Sequence, residues 1–297
     1  MIKLSKELYP FNGKFIKRSG LRYHYLDEGK GDPIVMLHGN PTWSFYYRCL
    51  VSELCDTYRC IVPDHMGCGL SDKPGDDRYE YTLKSRVDDL EALIEYLDLG
   101  RGITLVLHDW GGMIGMAYAV RVPQHIKRIV LFNTSAFHLP GHMKFPWQLR
   151  LVRNSRLGGF MVRGLNAFSR TAAFVCCKKK PLTKKLRDAY CAPYDTWSNR
   201  IATLRFVQDI PIQPGDRCYQ IVSEVQAKLR SFQDRPVMIC WGEKDFVFNN
   251  QVLDVWLQYL PRAEVHRFSD CGHYVLEDAA DEISPLVRRF LENHPLS

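Results

Sequence analysis

The sequence predicts an α/β fold, a mostly parallel central sheet with helices on both faces, interrupted by a block of helices. Three observations predict it. Short apolar runs alternate with amphipathic stretches at both ends of the chain, the middle lacks such runs, and charge divides along the same boundaries. The 297 residues, 46% apolar and 25% charged, suit a globular protein and exclude disorder. At roughly 150 residues per domain the length fits two domains or one domain with an insertion.

Ile34–Leu37, Cys60–Pro63, Ile103–Leu107 and Ile129–Phe132 are continuous apolar runs of four or five residues, as expected of parallel strands buried on both faces. Between them, Thr82–Leu97 places Leu83, Val87, Leu90, Leu93, Ile94 and Leu97 at spacings of three and four. That predicts a helix with one apolar face and with Lys84, Arg86, Asp88 and Glu91 at solvent. The alternation resumes with strand-like Val237–Trp241, helical Val252–Leu260, strand-like Glu264–Phe268 and a closing helix at Asp281–Asn293. Residues 135–230 read instead as helices with Pro and Gly breaks. The expected organisation is a core of 1–134 and 231–297, split by a helical cap at 135–230.

The net charge of +7 is uneven: the cap holds 17 bases against five acids, a net +12, and the rest of the chain sums to −5. Within the cap, Trp147–Arg170 mixes Leu149, Leu151, Val152, Leu157, Phe160, Met161, Val162, Leu165 and Phe168 with Arg150, Arg153, Arg156, Arg163 and Arg170. This composition predicts a helix pair with an apolar side lining a substrate tunnel and a basic side meeting an acidic partner or an anionic membrane. No nucleic-acid motif accompanies the charge. Met1–Phe15 has no apolar run of leader length, and no window approaches ~18 uncharged apolar residues, so a cytoplasmic protein without a transmembrane segment is expected. The ten cysteines contain no C-x-x-C and read as reduced small residues. No structural zinc, other metal or cofactor is called for.

The chemistry starts where the strand Ile103–Leu107 runs into His108-Asp109-Trp110-Gly111-Gly112 and a small-residue helix. Strand, tight turn and helix make a nucleophile elbow, with Asp109 as the exposed reactive residue. A carboxylate attacks directly and forms an ester or anhydride, which excludes serine-esterase chemistry; the helix N-terminus favours its ionised form. As a competing reading, Asp109 is only a helix N-cap. A covalent ester needs a His oriented by a second acid. Asp245, in Trp241-Gly242-Glu243-Lys244-Asp245, and His273, in Asp270-Cys271-Gly272-His273, both follow late strands, and the order nucleophile, acid, His is that of α/β-hydrolases. Glu243 is the rival acid but lies two residues nearer the strand, and Asn133-Thr134-Ser135 offers none. The other nine histidines read as surface or supporting residues. Finally, His38-Gly39-Asn40-Pro41 ends the first core strand and belongs beside the elbow, where the Asn40 amide and the Trp110 indole are donors for a leaving group that gathers negative charge. The plainer alternative is that Asn40 shapes a turn and Trp110 packs.

The set His38-Gly39-Asn40-Pro41, Pro63 to Pro74, His108-Asp109-Trp110-Gly111-Gly112, Asp245 and Gly272-His273 resembles the haloalkane dehalogenase branch of the α/β-hydrolase superfamily. The resemblance implies an α/β-hydrolase fold, Asp109 as nucleophile, His273 with Asp245 as base and acid, and Asn40 with Trp110 as the leaving-group or oxyanion clamp. Leu107 departs from the Gly that many relatives carry two residues before the nucleophile, which alters elbow packing alone. Segments such as Tyr81–Leu90, Ala192-Pro193-Tyr194-Asp195, Arg205–Pro211 and His273–Asp278 resemble more closely the β-lactone decarboxylases of bacterial olefin biosynthesis (cis-3-alkyl-4-alkyloxetan-2-one decarboxylases). That resemblance implies a carboxy-lyase that turns a lactone with two long alkyl chains into a cis-alkene and carbon dioxide. It also implies assembly with other olefin-biosynthesis enzymes, for which the basic cap is the expected contact. Asp109 can open the ring at the ring carbon or at the carbonyl, and both routes stay open. The alternatives are a haloalkane dehalogenase, an epoxide hydrolase using Tyr190, Tyr194 or Tyr219, which Asn40 argues against, and a non-catalytic binding member of the fold.

Overall fold

The computed structural model describes residues 5–296 apart from His142 and Lys144, so the first four residues of the segment read for a leader lie outside it. Eight strands form one sheet: β1 (Lys14–Arg18), β2 (Leu21–Glu28), β3 (Pro33–Leu37), β4 (Arg59–Pro63), β5 (Ile103–Asp109), β6 (Ile126–Thr134), β7 (Val237–Gly242) and β8 (Glu264–Phe268), ordered β1-β2-β4-β3-β5-β6-β7-β8. All neighbours from β4 to β8 run parallel, and the antiparallel pairs are β1–β2 and β2–β4. The continuous apolar runs sit at the centre, where every residue of β5 and β7 is buried, as a sheet covered on both faces requires. The β1–β2 hairpin is an addition at the edge, joined through Ser19 and Gly20 at φ +48° and +79°.

The helices of the core are α1 (Arg48–Leu54), α2 (Leu83–Tyr96), α3 (Trp110–Arg121), and, after the seventh strand, α10 (Asn250–Tyr259), α11 (Val275–Asp278) and α12 (Ala280–Asn293). Between β6 and β7 come only helices: α4 (Trp147–Asn154), α5 (Arg156–Leu165), α6 (Ala167–Val175), α7 (Lys184–Cys191), α8 (Ile201–Gln208) and α9 (Tyr219–Lys228). No helix of the described residues is long and apolar enough to cross a membrane. All ten cysteines are free and seven of them are buried.

The periodicity of α2 misplaces one residue. Arg86, expected at solvent, is fully buried, because α8 covers that flank of α2. Its guanidinium stacks 3.7 Å above the Phe206 ring and lies 3.7 Å from Asp209, a Coulombic neighbour beyond hydrogen-bonding distance. Asp209 in turn accepts the Leu83 N–H at 2.6 Å, satisfying an orphan donor at the start of α2 from the far side of the chain. Burial outweighs Arg86 and these bonds, so the Asp209 carboxyl is pushed up to about 6. A carboxyl whose folded pKa exceeds its unfolded value binds more protons when folded, so its contribution falls as pH rises from about 4 to about 6. Asp209→Asn, which keeps an acceptor for Leu83, is therefore expected to gain stability relative to wild type over that window. Urea unfolding at pH 4.5 and pH 7 measures the difference, and a constant gap between the two proteins would contradict it.

Candidate active site

The elbow forms because β5 delivers Asp109 at the sheet's C-terminal edge and α3 begins at the next residue. Asp109 sits at φ +50°, ψ −123°, a conformation costing of order 1–3 kcal/mol in a non-glycine residue and kept only where packing over-determines it. The packing is visible. A Cβ on Gly111 would collide with the Leu37 carbonyl of β3, and one on Gly39 would collide with the Asp109 carboxylate itself. Leu107 finds its space in the same way, since its side chain occupies the room that a Cβ on Gly115 of α3 would need. The departure at Leu107 is thus absorbed by a glycine one turn into the helix.

Asp109 is buried, and burial raises its pKa; facing His273 and the backbone N–H groups of Asn40 and Trp110 pull the other way. The Asn40 N–H reaches Oδ1 at 2.6 Å. His273 Nε2 stands 3.7 Å from Oδ2, and its Nδ1 is bonded to Asp245 Oδ2 at 2.7 Å. Burial alone would lower the His273 pKa; the Asp245 charge and hydrogen bond reverse the sign and raise it. Asp245 is locked by its second oxygen, which accepts the Val247 N–H at 2.7 Å. Glu243 instead turns outward to Arg267 at 3.2 Å. The carboxylate-free C-terminal end of β6 has a use of its own: the Asn133 amide donates to Gly242 O at 3.0 Å and accepts from Gly242 N at 2.8 Å, pinning the base of the Asp245 loop.

Asn40 and Trp110 line the same cavity as Asp109 and His273. One Asn40 amide N–H is already taken by the Thr203 carbonyl of α8 at 3.0 Å, leaving the other for a guest. Trp110 is buried with its ring 5.2 Å from Phe206, on whose ring Arg86 also stacks. Four of the histidines read as surface or supporting, His24, His38, His65 and His108, are fully buried supports. His108 bonds the His273 carbonyl at 2.9 Å.

The cavity measures about 850 Å³ and is walled mostly by apolar side chains, within the range of sites that enclose a drug-sized ligand. Leu149, Leu151, Val152, Met161, Val162 and Phe168 line it as the cap composition predicted, but Leu157, Phe160 and Leu165 do not: they are 53–61% exposed on the outside. Arg153, expected on a free basic side, is ion-paired with Asp216 at 2.6 Å. The epoxide-hydrolase tyrosines are elsewhere too. Tyr190 bonds Glu277, Tyr194 bonds the Thr42 carbonyl at 3.2 Å and Tyr219 stacks on His138 at 4.0 Å. No tyrosine is among the described residues lining the cavity.

Asp278 escaped the sequence reading of the site. Its buried carboxylate accepts the N–H groups of Gly272 (2.7 Å), Lys178 (2.8 Å), Lys179 (3.1 Å) and Lys180 (2.9 Å), tying the loop after α6 to the residue before His273. Backbone donors leave no mark in a sequence, so no pattern there announces it.

This fold and this triad define a hydrolase-type enzyme scaffold, and residues 32–280 match the model of the alpha/beta hydrolase fold family. The chain belongs to that family. Among curated proteins it is 57% identical over 284 residues to the cis-3-alkyl-4-alkyloxetan-2-one decarboxylase of Shewanella oneidensis, covering 96% of this chain and 89% of the relative. It is 47% identical to the enzyme of the same name from Xanthomonas campestris, covering 97% and 98%. A solved haloalkane dehalogenase from Bradyrhizobium elkani superposes with a TM-score of 0.84 at 25% identity, covering 95% and 98%.

Two outcomes follow from the geometry. Asp245→Asn removes the charge that outweighs burial, so the His273 imidazole, followed by NMR titration, should show a lowered pKa; an unchanged value would mean that Asp245 does not set it. Asp278→Asn replaces two acceptor oxygens by one and is expected to cost about 2–4 kcal/mol in chemical denaturation.

Proposed function

We propose that this chain is a cis-3-alkyl-4-alkyloxetan-2-one decarboxylase, a carboxy-lyase of long-chain olefin biosynthesis in which Asp109 is the nucleophile. The observation that carries the reading is the pairing of a buried carboxylate at the elbow with an apolar cavity of about 850 Å³, in a chain akin along most of its length to decarboxylases of that name. Residues 135–230 act as a lid over a core of 1–134 and 231–297.

In this reading the lactone enters with its alkyl chains against the cap. Attack of Asp109 Oδ2 on the ring carbon that bears the ring oxygen breaks that C–O bond and leaves an alkyl ester with a free β-carboxylate. The C–CO2 bond then breaks, its electron pair forms the C=C bond, and the ester C–O pair returns to Asp109. The sum is alkene plus carbon dioxide, with no water, metal or redox partner consumed. Attack at the carbonyl instead gives a mixed anhydride and a free alkoxide; the alkoxide then attacks the Asp109 acyl carbon, expels the β-carboxylate and yields the same alkyl ester, which breaks down as before. On either route the remaining Asn40 N–H and the Trp110 indole serve the oxygen that becomes anionic, and the His273–Asp245 pair balances charge in a mostly apolar site. The same atoms suit halide displacement, which keeps a haloalkane dehalogenase as the second reading.

The cytoplasm belongs to this reading, supported by ten unpaired thiols. So does assembly with other olefin-biosynthesis enzymes through the basic cap. Exposed Lys178, Lys180 and Lys184 give an acidic protein a charged surface on the α6–α7 side.

Purified protein offered a synthetic cis-β-lactone should release cis-alkene, read by gas chromatography, and Asp109→Ala should release none. His273→Ala should accumulate an adduct on Asp109 whose mass includes the acyl carbons, located by peptide mass spectrometry. Faster halide release from 1-bromobutane than alkene release from the lactone would replace the decarboxylase reading with the dehalogenase one.

A further inference from the structure

The outer face of the cap carries a pattern that the catalytic cavity does not use. On α5, Arg156, Leu157, Phe160 and Arg163 fall at i, i+1, i+4 and i+7 and so share one helix face. Leu157 is 61% and Phe160 53% exposed. Trp197, 47% exposed, stands beside them with its ring 6.3 Å from Phe160 and beneath the Arg163 guanidinium at 4.6 Å. Phe160, Trp197, Arg156 and Arg163 border a shallow groove of about 400 Å³, distinct from the cavity that holds Asp109. Large apolar side chains scattered singly over a surface need no explanation, but a contiguous group rimmed by cations marks a contact.

The charge around this patch is only partly compensated, by Asp76 near Arg163 and by the Arg153–Asp216 pair. From Trp110 to Arg187 the chain contains no acidic residue. Among the described residues Arg156, Arg150 and Arg170 are exposed and make no ion pair, unlike Arg153. The cavity also opens on the cap's exterior: Trp147, at the start of α4, and Phe246 both line it while remaining 69% and 54% exposed.

We propose that the α5 face docks this protein on an anionic bilayer surface, with Leu157, Phe160 and Trp197 at the acyl boundary and Arg156 and Arg163 on lipid phosphates. Arg and aromatic side chains are interleaved residue by residue here. That suits an interface where phosphates and acyl chains lie within a few ångströms of each other, with Trp at the headgroup level. An acidic protein surface would match the arginines and leave three large apolar side chains without a counterpart. The proposal stands whether or not the substrate is a β-lactone, because lipid binding is read without catalysis.

The test is flotation of the full-length protein with vesicles of phosphatidylcholine alone or with 30% phosphatidylglycerol. Binding should appear with phosphatidylglycerol and weaken as salt rises. Arg156→Glu should lower the affinity by roughly tenfold. Leu157→Ser with Phe160→Ser should remove the binding that survives high salt, with the melting temperature and lactone turnover in detergent unchanged. If the paired variant folds poorly, Arg156→Glu alone decides. Equal flotation with both vesicle types, no flotation, or wild-type binding by Arg156→Glu would overturn the proposal. So would Arg156-dependent retention on polyglutamate without vesicle binding, which would make the face a protein dock.

Discussion

A carboxylate buried at the rim of a mostly apolar cavity is the constraint on which the rest of the molecule depends. Burial pushes Asp109 toward its neutral form. The protein sets fixed dipoles and one cation source against it. The Asn40 N–H and the N-terminus of α3 face one side of the carboxylate, and His273, itself charged more readily because of Asp245, faces the other. The strained backbone at Asp109 follows from the same need, because only a sharp turn aims a side chain at both sets of partners.

The cap is part of this arrangement and does more than cover it. The Thr203 carbonyl orients Asn40, Phe206 supports Trp110, Asp209 caps α2 beneath them, and the amides of Lys178–Lys180 meet Asp278 one turn from His273. The loops of Asn40, Trp110 and His273 therefore each have a partner in the inserted helices. Such ties explain why Arg86 can be tolerated without hydrogen-bond partners in the interior: its charge is held by a flat aromatic ring and a nearby carboxyl, both supplied by α8.

What was legible in the sequence is what is local. Asp109 ends an apolar run, and Asp245 and His273 lie in the short loops that follow strand-like segments, so strand, loop and order could be read without knowing any contact. Ile103–Leu107 and Glu264–Phe268 fall on strands, since burial on both faces or at a sheet edge writes itself into consecutive residues. Relations between distant segments left no such trace. Arg86 has the composition of a solvent-facing position and is buried only because Phe206 arrives 120 residues later. Leu157 and Phe160 have the composition of tunnel lining and face outward because α5 turns Met161 and Val162 inward instead. The edge hairpin of β1 and β2 was missed although its Ser19-Gly20 turn is a usable signal; its strands mix exposed and buried residues and so resemble loop.

The ties between cap and core are unevenly distributed, and this determines which part of the molecule yields. Those from α6 onward reach the core through Cys176, Lys178, Thr203 and Asp209. Among the described residues, α4 and α5 make side-chain hydrogen bonds only to other cap residues, at Trp197, Ile210, Asp216 and Arg200. Their hold on the rest is apolar contact, which slides without breaking a directional bond. The α4–α5 pair is thus a part of the inserted helices joined to the core by no directional bond among the described residues, while the groups around Asp109 are tied to the frame.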